Sequence, residues 1–439
     1  MLRTTQLITR RLQNVFYGWW IVVASMACLT VASIFYWQGF SLFFLPLQTE
    51  FATSRTALSA AIAFSQLEGG VLGPLDGYLV DRFGPRKMTL IGTVMMGVGF
   101  MLMSRVNSLL MFYVVFLGVI SIGMGIGIRV PSIVAPSNWF VRKRGLVVGL
   151  ALTGSGIGGF FLPLLGSLIA NAGWRTASMT AGIAILAVGI PAALVMRRRP
   201  EDYGLLPDGD RPGDVRGKQE QTTPDTGSGA DFTLRQVLRL PVFWLLALAF
   251  GLRQFTIGAM QLHQVPNLID KGFDPQTAST ILAAVVVASI VGRLGFGWLA
   301  DKFPARYIMA VSIGMVAASA LLLAYASQWW HLVLYVGLYG IGWGGGAVVM
   351  NTVRVAYFGR KSFGTISGMM DFVQMFGLVL GPLFAGAVYD ATKSYYIAFI
   401  TFAIVSVVGG AVVLFLRPPK APASAKPAVP ATSSPQGQG

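Results

Sequence analysis

Apolar runs close to the ~20 residues that carry an α-helix across a bilayer recur along this chain, parted by short charged turns. Twelve of them are expected as helices, near 17–47, 57–80, 88–104, 106–136, 145–170, 176–196, 241–269, 277–300, 306–327, 331–358, 363–389 and 394–416. Little chain is left for a soluble domain. Only 11% of the residues are charged, where a soluble chain would carry roughly 25%.

The formal net charge of +16 would point to nucleic acid if it formed a patch, but its placement argues otherwise. With the N-terminus inside, 24 of the 33 Lys and Arg fall on cytoplasmic segments. Five (Arg55, Arg105, Arg175, Lys271, Lys393) fall outside and four (Arg129, Arg253, Arg293, Arg354) lie within spans. This is the positive-inside bias. It predicts a multi-pass protein of the cell (inner) membrane with both termini cytoplasmic and no nucleic-acid partner. Arg3, Arg10 and Arg11 precede an apolar run too long for a cleavable signal core. One cysteine, Cys28, excludes a disulfide framework, and His263 and His331 stand too far apart in sequence for a convincing metal cluster. With no P-loop and no nucleophile–base set, neither cofactor nor enzymatic activity is expected.

A charged motif recurs at half the chain length. GYLVDRFGPR at 77–86 is answered by GWLADKFPAR at 297–306, so Gly77, Asp81, Arg82 and Arg86 meet Gly297, Asp301, Lys302 and Arg306, each 220 positions later. NWFVRKRGLVVG and AYFGRKSFGTISG make a second pair at nearly the same offset, with Phe140, Arg142 and Lys143 recurring as Phe358, Arg360 and Lys361. Two such pairs imply a duplication. The expected fold is an all-α membrane protein, with twelve transmembrane helices in two pseudo-symmetric six-helix bundles at 1–196 and 241–417. A cytoplasmic linker with an interfacial helix capped by Asp231 is expected at 197–240, and a disordered cytoplasmic tail at 418–439.

The charged turns read either as topogenic loops or as a conformational latch. In a latch, Gly77 permits close helix approach and Asp81 meets basic side chains or a helix N-terminus. Its members would be Gly77, Asp81, Arg82, Arg86, Asp301 and Lys302. Helix 5 carries Gly154, Gly158 and Gly159 ahead of Pro163, a spacing that suits ordinary packing or a flexing contact between bundles.

The helix count, the half-repeats and GYLVDRFGPR resemble the major facilitator superfamily across residues 15–417. Within it, FYGWWIV, NWFVRKRGLVVGLALTGSGIGG, TLRQVLRLPVFWLL, HQVPNLIDKGF and SIVGRLGFGWLADKF resemble the monocarboxylate transporter and oxalate/formate antiporter branch. The resemblance implies that Arg293 in helix 8 binds a substrate carboxylate. Animal members add a lysine in helix 1 and an aspartate one turn before this arginine. Here helix 1 has no lysine and the residue four before is Ser289. The oxalate exchanger's helix 11 lysine is also absent, and this helix offers Asp371 and Gln374 instead. The proton-coupling arrangement therefore does not carry over.

The residues themselves support an anion site. Arg293 lies deep in an apolar run, where a cation is tolerated only beside a partner or a cavity, and its planar fork suits a carboxylate. Arg129 and Arg253 are candidate second anion contacts or the basic half of a gate. An Arg129–Asp371 pair would join the halves on the inner side in an outward-open state and break as the protein opens inward. Arg354 would snorkel to lipid phosphates. Glu68 is a candidate proton carrier, with a permanent salt bridge to Arg129 or Arg253 as the alternative, and Asp371 is a further proton-coupling candidate. His263 is an outer gate, a proton group or a hydrogen-bonded structural histidine. Tyr339 and Trp343, one turn apart, either shape the apolar part of a cavity or pack between helices.

These features predict a secondary active transporter of small organic anions, above all proton-coupled monocarboxylate symport by alternating access. Exchange of dicarboxylates such as oxalate or formate is the main alternative. A drug/proton antiporter is disfavoured by the excess of buried cations, and a non-transporting anion sensor would bind without flux. The partners expected are a small carboxylate, protons and the lipid bilayer.

Overall fold

The computed structural model describes residues 16–210, 232–359 and 363–419. The basic residues before Phe16, most of the linker with Asp231, Arg360 and Lys361, and the tail from 420 lie outside the described residues. Among the described residues every regular element is helical.

Ten stretches are long and apolar enough to cross a bilayer. The longest, Leu146–Val195, is two helices, because Gly173 takes φ 80° and ψ 159° and turns the chain between them. Arg55–Phe83, 29 residues long, falls short of that apolarity because Gln66, Glu68 and Asp76 interrupt it. At 1.5 Å per residue it still spans about 43 Å, enough to cross. Among the described residues the count is therefore twelve. They are α1 (Gly18–Phe51), α2 (Arg55–Phe83), α3 (Pro85–Met103), α4 (Leu109–Trp139), α5 (144–172), α6 (174–195) and α7 (Pro241–Asp270). Then follow α8 (Pro275–Lys302), α9 (Ala305–Tyr325), α10 (Trp329–Phe358), α11 (Phe363–Thr392) and α12 (Tyr396–Phe415).

The helix ends follow local chemistry. Ser54 caps α2 by accepting the Ala57 N–H at 3.1 Å. Between α2 and α3 the chain turns on Gly84 at φ 85°, with Pro85 opening the next helix. Asp274 caps α8, accepting the Thr277 N–H at 2.9 Å and the Thr277 hydroxyl; these bonds hold its carboxyl below the usual carboxylate range. The interfacial helix is a single turn, Leu234–Val237, capped by Thr233, whose N–H donates to Gln236 at 2.9 Å.

The halves, α1–α6 and α7–α12, meet along α2 with α11 and α5 with α8. A Cβ on Gly154 of α5 would lie 2.2 Å from the Met26 carbonyl of α1, so this face packs within its own half. Gly156 and Gly159 instead abut Ile290 and Val286 of α8. One helix thus serves both contacts named for it. The halves are joined where α2 begins and where α7 and α11 end, and they part at the end bearing the charged turns. A Cβ on Gly70 would meet Met375, but at positions 73 and 77, one and two turns on, it would meet nothing within 4 Å among the described residues. Tyr78 and Phe372 are exposed there. The molecule is open at its basic end.

Candidate functional site

A cavity of about 460 Å³ lies between the halves at the open side, bounded by Gln66, Gly69 and Gly70 of α2, Arg129 of α4, Gln254 of α7, and Asp371 and Gln374 of α11. Arg129 ends a wide π turn, Met124–Arg129, in α4. Its Nη2 donates to the Gly69 carbonyl at 3.1 Å and to Asp76 Oδ2 at 3.2 Å. Asp76 comes this close because Gly125 carries no side chain; a Cβ there would lie 2.7 Å from the carboxylate.

Across the cavity Asp371 pairs with Arg354 at 2.5 Å. Arg354 does not snorkel to lipid: it is buried, and Asp371 together with Asn351 at 3.3 Å takes up its fork. The Arg129–Asp371 pair, expected when this end is closed, is absent here where it is open. Each charge has a partner in its own half.

Glu68 is half-buried in a narrow polar cleft beside the cavity, lined also by Tyr36, Ser121, Asp76 and Arg129. A salt bridge from Glu68 to Arg129 or Arg253 is not formed; Asp76 takes Arg129 instead. The sequence reading passed over Asp76. Its signal is its place immediately before Gly77, the first residue of the charged motif.

Arg293 shares a face of α8 with Val286, two helical turns earlier, which meets Gly159 of α5. It therefore lies on the side of α8 turned to the other half, one turn beyond the Ile290–Gly156 contact and toward the open end. It is half-buried and makes no ion pair among the described residues.

Of the substrate residues expected from the sequence, Arg129 lines this cavity, and Arg253, Arg293, Tyr339 and Trp343 are not among its lining residues. Arg253 is buried within the second half, where Nη2 donates to the Trp343 carbonyl at 3.0 Å and Nη1 to Gln254 Oε1 at 3.2 Å. Its Nε and the Tyr339 hydroxyl have no partner among the described residues. Tyr339 stacks between Tyr335 and Trp343, with centroids 5.5 and 6.2 Å away. The aromatic pair belongs to a packed column.

At the closed end stands a polar clasp that the sequence reading missed. Arg55 pairs with Asp270 through both nitrogens, at 2.5 and 2.8 Å, and donates to the Tyr395 hydroxyl at 2.8 Å. Its guanidinium lies 3.6 Å from the Tyr389 ring centroid. Asp390 accepts the Arg55 and Thr56 N–H groups at 3.0 and 2.9 Å. His263 lies behind it, fully buried, within 3.0 Å of Ser59 Oγ and the Pro382 carbonyl and 2.8 Å of Tyr395. It sits where the halves close, and its ring nitrogens are hydrogen-bonded.

The charged turns are exposed. A Cβ on Gly77 would meet nothing within 4 Å among the described residues, and Asp81, Arg86, Asp301 and Lys302 are at the surface. Arg82 donates to the Tyr78 hydroxyl at 2.8 Å, and Lys302 lies over the Trp298 ring. None of these side chains bridges the halves through an ion pair among the described residues.

The Major Facilitator Superfamily model matches residues 26–263 and 255–437. Monocarboxylate transporter 13 of Bos taurus is 27% identical over 406 residues, covering 91% of this chain and 89% of that protein. Monocarboxylate transporter 2 of Homo sapiens is 24% identical over 397 residues, covering 86% and 81%. Among solved structures, an inward-facing, unoccupied bacterial homologue of the human lysosomal transporter Spinster aligns with TM-score 0.73 at 16% identity, covering 91% of this chain and 97% of that one. The nucleoside transporter NupG aligns with TM-score 0.70 at 14% identity, covering 91% and 99%. These two likenesses bear on the fold alone. By its family match, its repeat and its twelve helices, the chain belongs to the Major Facilitator Superfamily and is a membrane transporter, not an enzyme.

Proposed function

We propose that the protein carries small monocarboxylates with protons by alternating access, with Arg293 binding the carboxylate. The observation that carries this reading is the position of Arg293. The residue is half-buried on the inter-half face of α8, toward the open end, without an ion-pair partner among the described residues. An arginine at such a site is stabilised by a planar anion that arrives and leaves. The monocarboxylate transporters among its relatives support the substrate class. Arg129 borders the cavity with its charge already balanced by Asp76, which suits a role in gating or in secondary contact. Glu68, the acid in the adjoining cleft, takes the proton in this account, with the basic end cytoplasmic.

Uptake of labelled lactate into liposomes holding the purified protein, under an inward proton gradient with the membrane potential clamped, tests the reading. Gradient-driven accumulation, lost in Arg293→Gln, is the expected result. Flux that needs preloaded unlabelled anion and ignores the proton gradient would replace symport by exchange.

A further inference from the structure

The clasp at the closed end contains two groups of carboxylate-binding donors, both on the first half, and carboxylates of the second half fill both. The first is the guanidinium fork of Arg55, 4% exposed, whose Nη1 and Nη2 hold Asp270 of α7 at 2.5 and 2.8 Å. The second is the start of α2. There the Arg55 and Thr56 N–H groups and the Thr56 hydroxyl hold Asp390 of α11 at 3.0, 2.9 and 2.5 Å. The Tyr395 hydroxyl, 2.8 Å from Nη1, and the Tyr389 ring against the guanidinium belong to the second half as well. Among the described residues the fork has one bond within its own half, from Nε to Gln48 Oε1 of α1 at 3.1 Å.

From this arrangement we infer that Arg55 and the start of α2 form an outer docking site for the substrate carboxylate, uncovered whenever the halves part at this end. The site is separate from Arg293 and rests on the carboxylate reading above only for the identity of its ligand. When the second half swings away, Asp270, Asp390 and both tyrosines leave with it. The Gln48 bond stays and keeps the fork oriented, with both Nη groups free. A fork that grips the Asp270 carboxylate through two bonds suits a free carboxylate equally. The vacated N–H groups stand beside it in the first helical turn, where an anion is favoured. Asp270 and Asp390 are thus built-in competitors. An anion docked on Arg55 favours opening at this end, and the return of the two carboxylates on closure expels it.

Ser59 reports on the site, because it lies one turn into α2, buried, with its hydroxyl donating to the Arg55 carbonyl at 2.7 Å. The detergent-purified Cys28→Ser/Ser59→Cys protein is treated with an uncharged, water-soluble maleimide, with and without lactate. Arg293→Gln is added to remove the inner site, and Asp270→Asn to open the clasp while sparing the fork. Alkylation is then fast, and lactate slows it several-fold and saturably, whereas its neutral analogue lactamide does not. Adding Arg55→Gln leaves alkylation fast and abolishes the slowing. Asp390→Asn is the second opener, so a folding defect in one leaves the other to decide.

Slowing that survives Arg55→Gln, slowing that lactamide matches, or no slowing by lactate overturns the inference. So does a thiol that stays unreactive in both openers, since the fork then never comes free. Slowing that returns only when Arg293 is restored overturns the outer site and leaves the carboxylate reading in place. That reading is decided separately by the uptake experiment, and its failure there leaves the outer site without a substrate to receive.

Discussion

A guanidinium inside a membrane protein needs an anion, a carbonyl or water, and the four intramembrane arginines meet that need differently. Arg129 and Arg354 have carboxylates in their own halves, at 3.2 and 2.5 Å. Arg253 has carbonyl oxygens, from Trp343 and Gln254. Arg293 alone of the four has no hydrogen-bond or ion-pair partner among the described residues, which is why it carries the substrate assignment here. Arg293→Lys keeps the charge but loses the fork, so carboxylate binding should weaken by about tenfold, as bidentate geometry predicts, and be recovered in part relative to Arg293→Gln. Asp76→Asn should lower stability by only about 1 kcal/mol, because Arg129 remains one-third exposed and water screens it. The double variant Asp76→Asn/Arg129→Gln should regain most of that loss in a melting experiment. Glu68→Gln should abolish proton-driven accumulation while leaving exchange of lactate for lactate; persistence of the gradient response would remove Glu68 from the pathway.

Among the elements, the ends of α2, α7 and α11 decide which side is shut. Arg55 is almost wholly buried against Asp270, and removing one partner of such a pair costs about 3–5 kcal/mol. In Arg55→Gln that loss falls on the state closed at this end, so the population should move toward opening there. A cysteine at Ser59, buried beside His263, placed in a Cys28→Ser background, would then be alkylated by an impermeant reagent many times faster than with Arg55 intact. An unchanged rate would mean that apolar packing, not the clasp, holds the closure. The clasp was not legible in the sequence for a physical reason. Arg55, Asp270 and Asp390 sit at helix ends, where charges are expected to face water, and 335 positions separate the Arg55 amide from its Asp390 partner. By contrast, the apolar runs disclose the helices, and the repeats at 77–86 and 297–306 disclose the halves, because neither signal needs knowledge of pairing. Periodicity also could not say whether Tyr339 faces the crevice or its own bundle, since both are apolar surroundings for a helix face.

At the scale of the molecule, two six-helix halves are clasped at one end and parted at the end bearing the charged turns. Alternating access requires the reverse arrangement to be reachable, with Gly77 and its turn brought against the facing half and Arg129 within reach of Asp371. A cysteine pair at Tyr78 and Phe372, both exposed here, should cross-link poorly in this state and more readily in the Arg55→Gln background. The central claim is that a carboxylate on Arg293 moves together with a proton. Lactate added to a weakly buffered suspension of proteoliposomes, with a pH electrode in the medium and protein-free vesicles as control, addresses it directly. The account predicts alkalinisation of the medium in step with lactate entry for the parent protein, and none beyond the control for Arg293→Gln. Lactate entry without a pH change, or an undiminished signal in the variant, would contradict it.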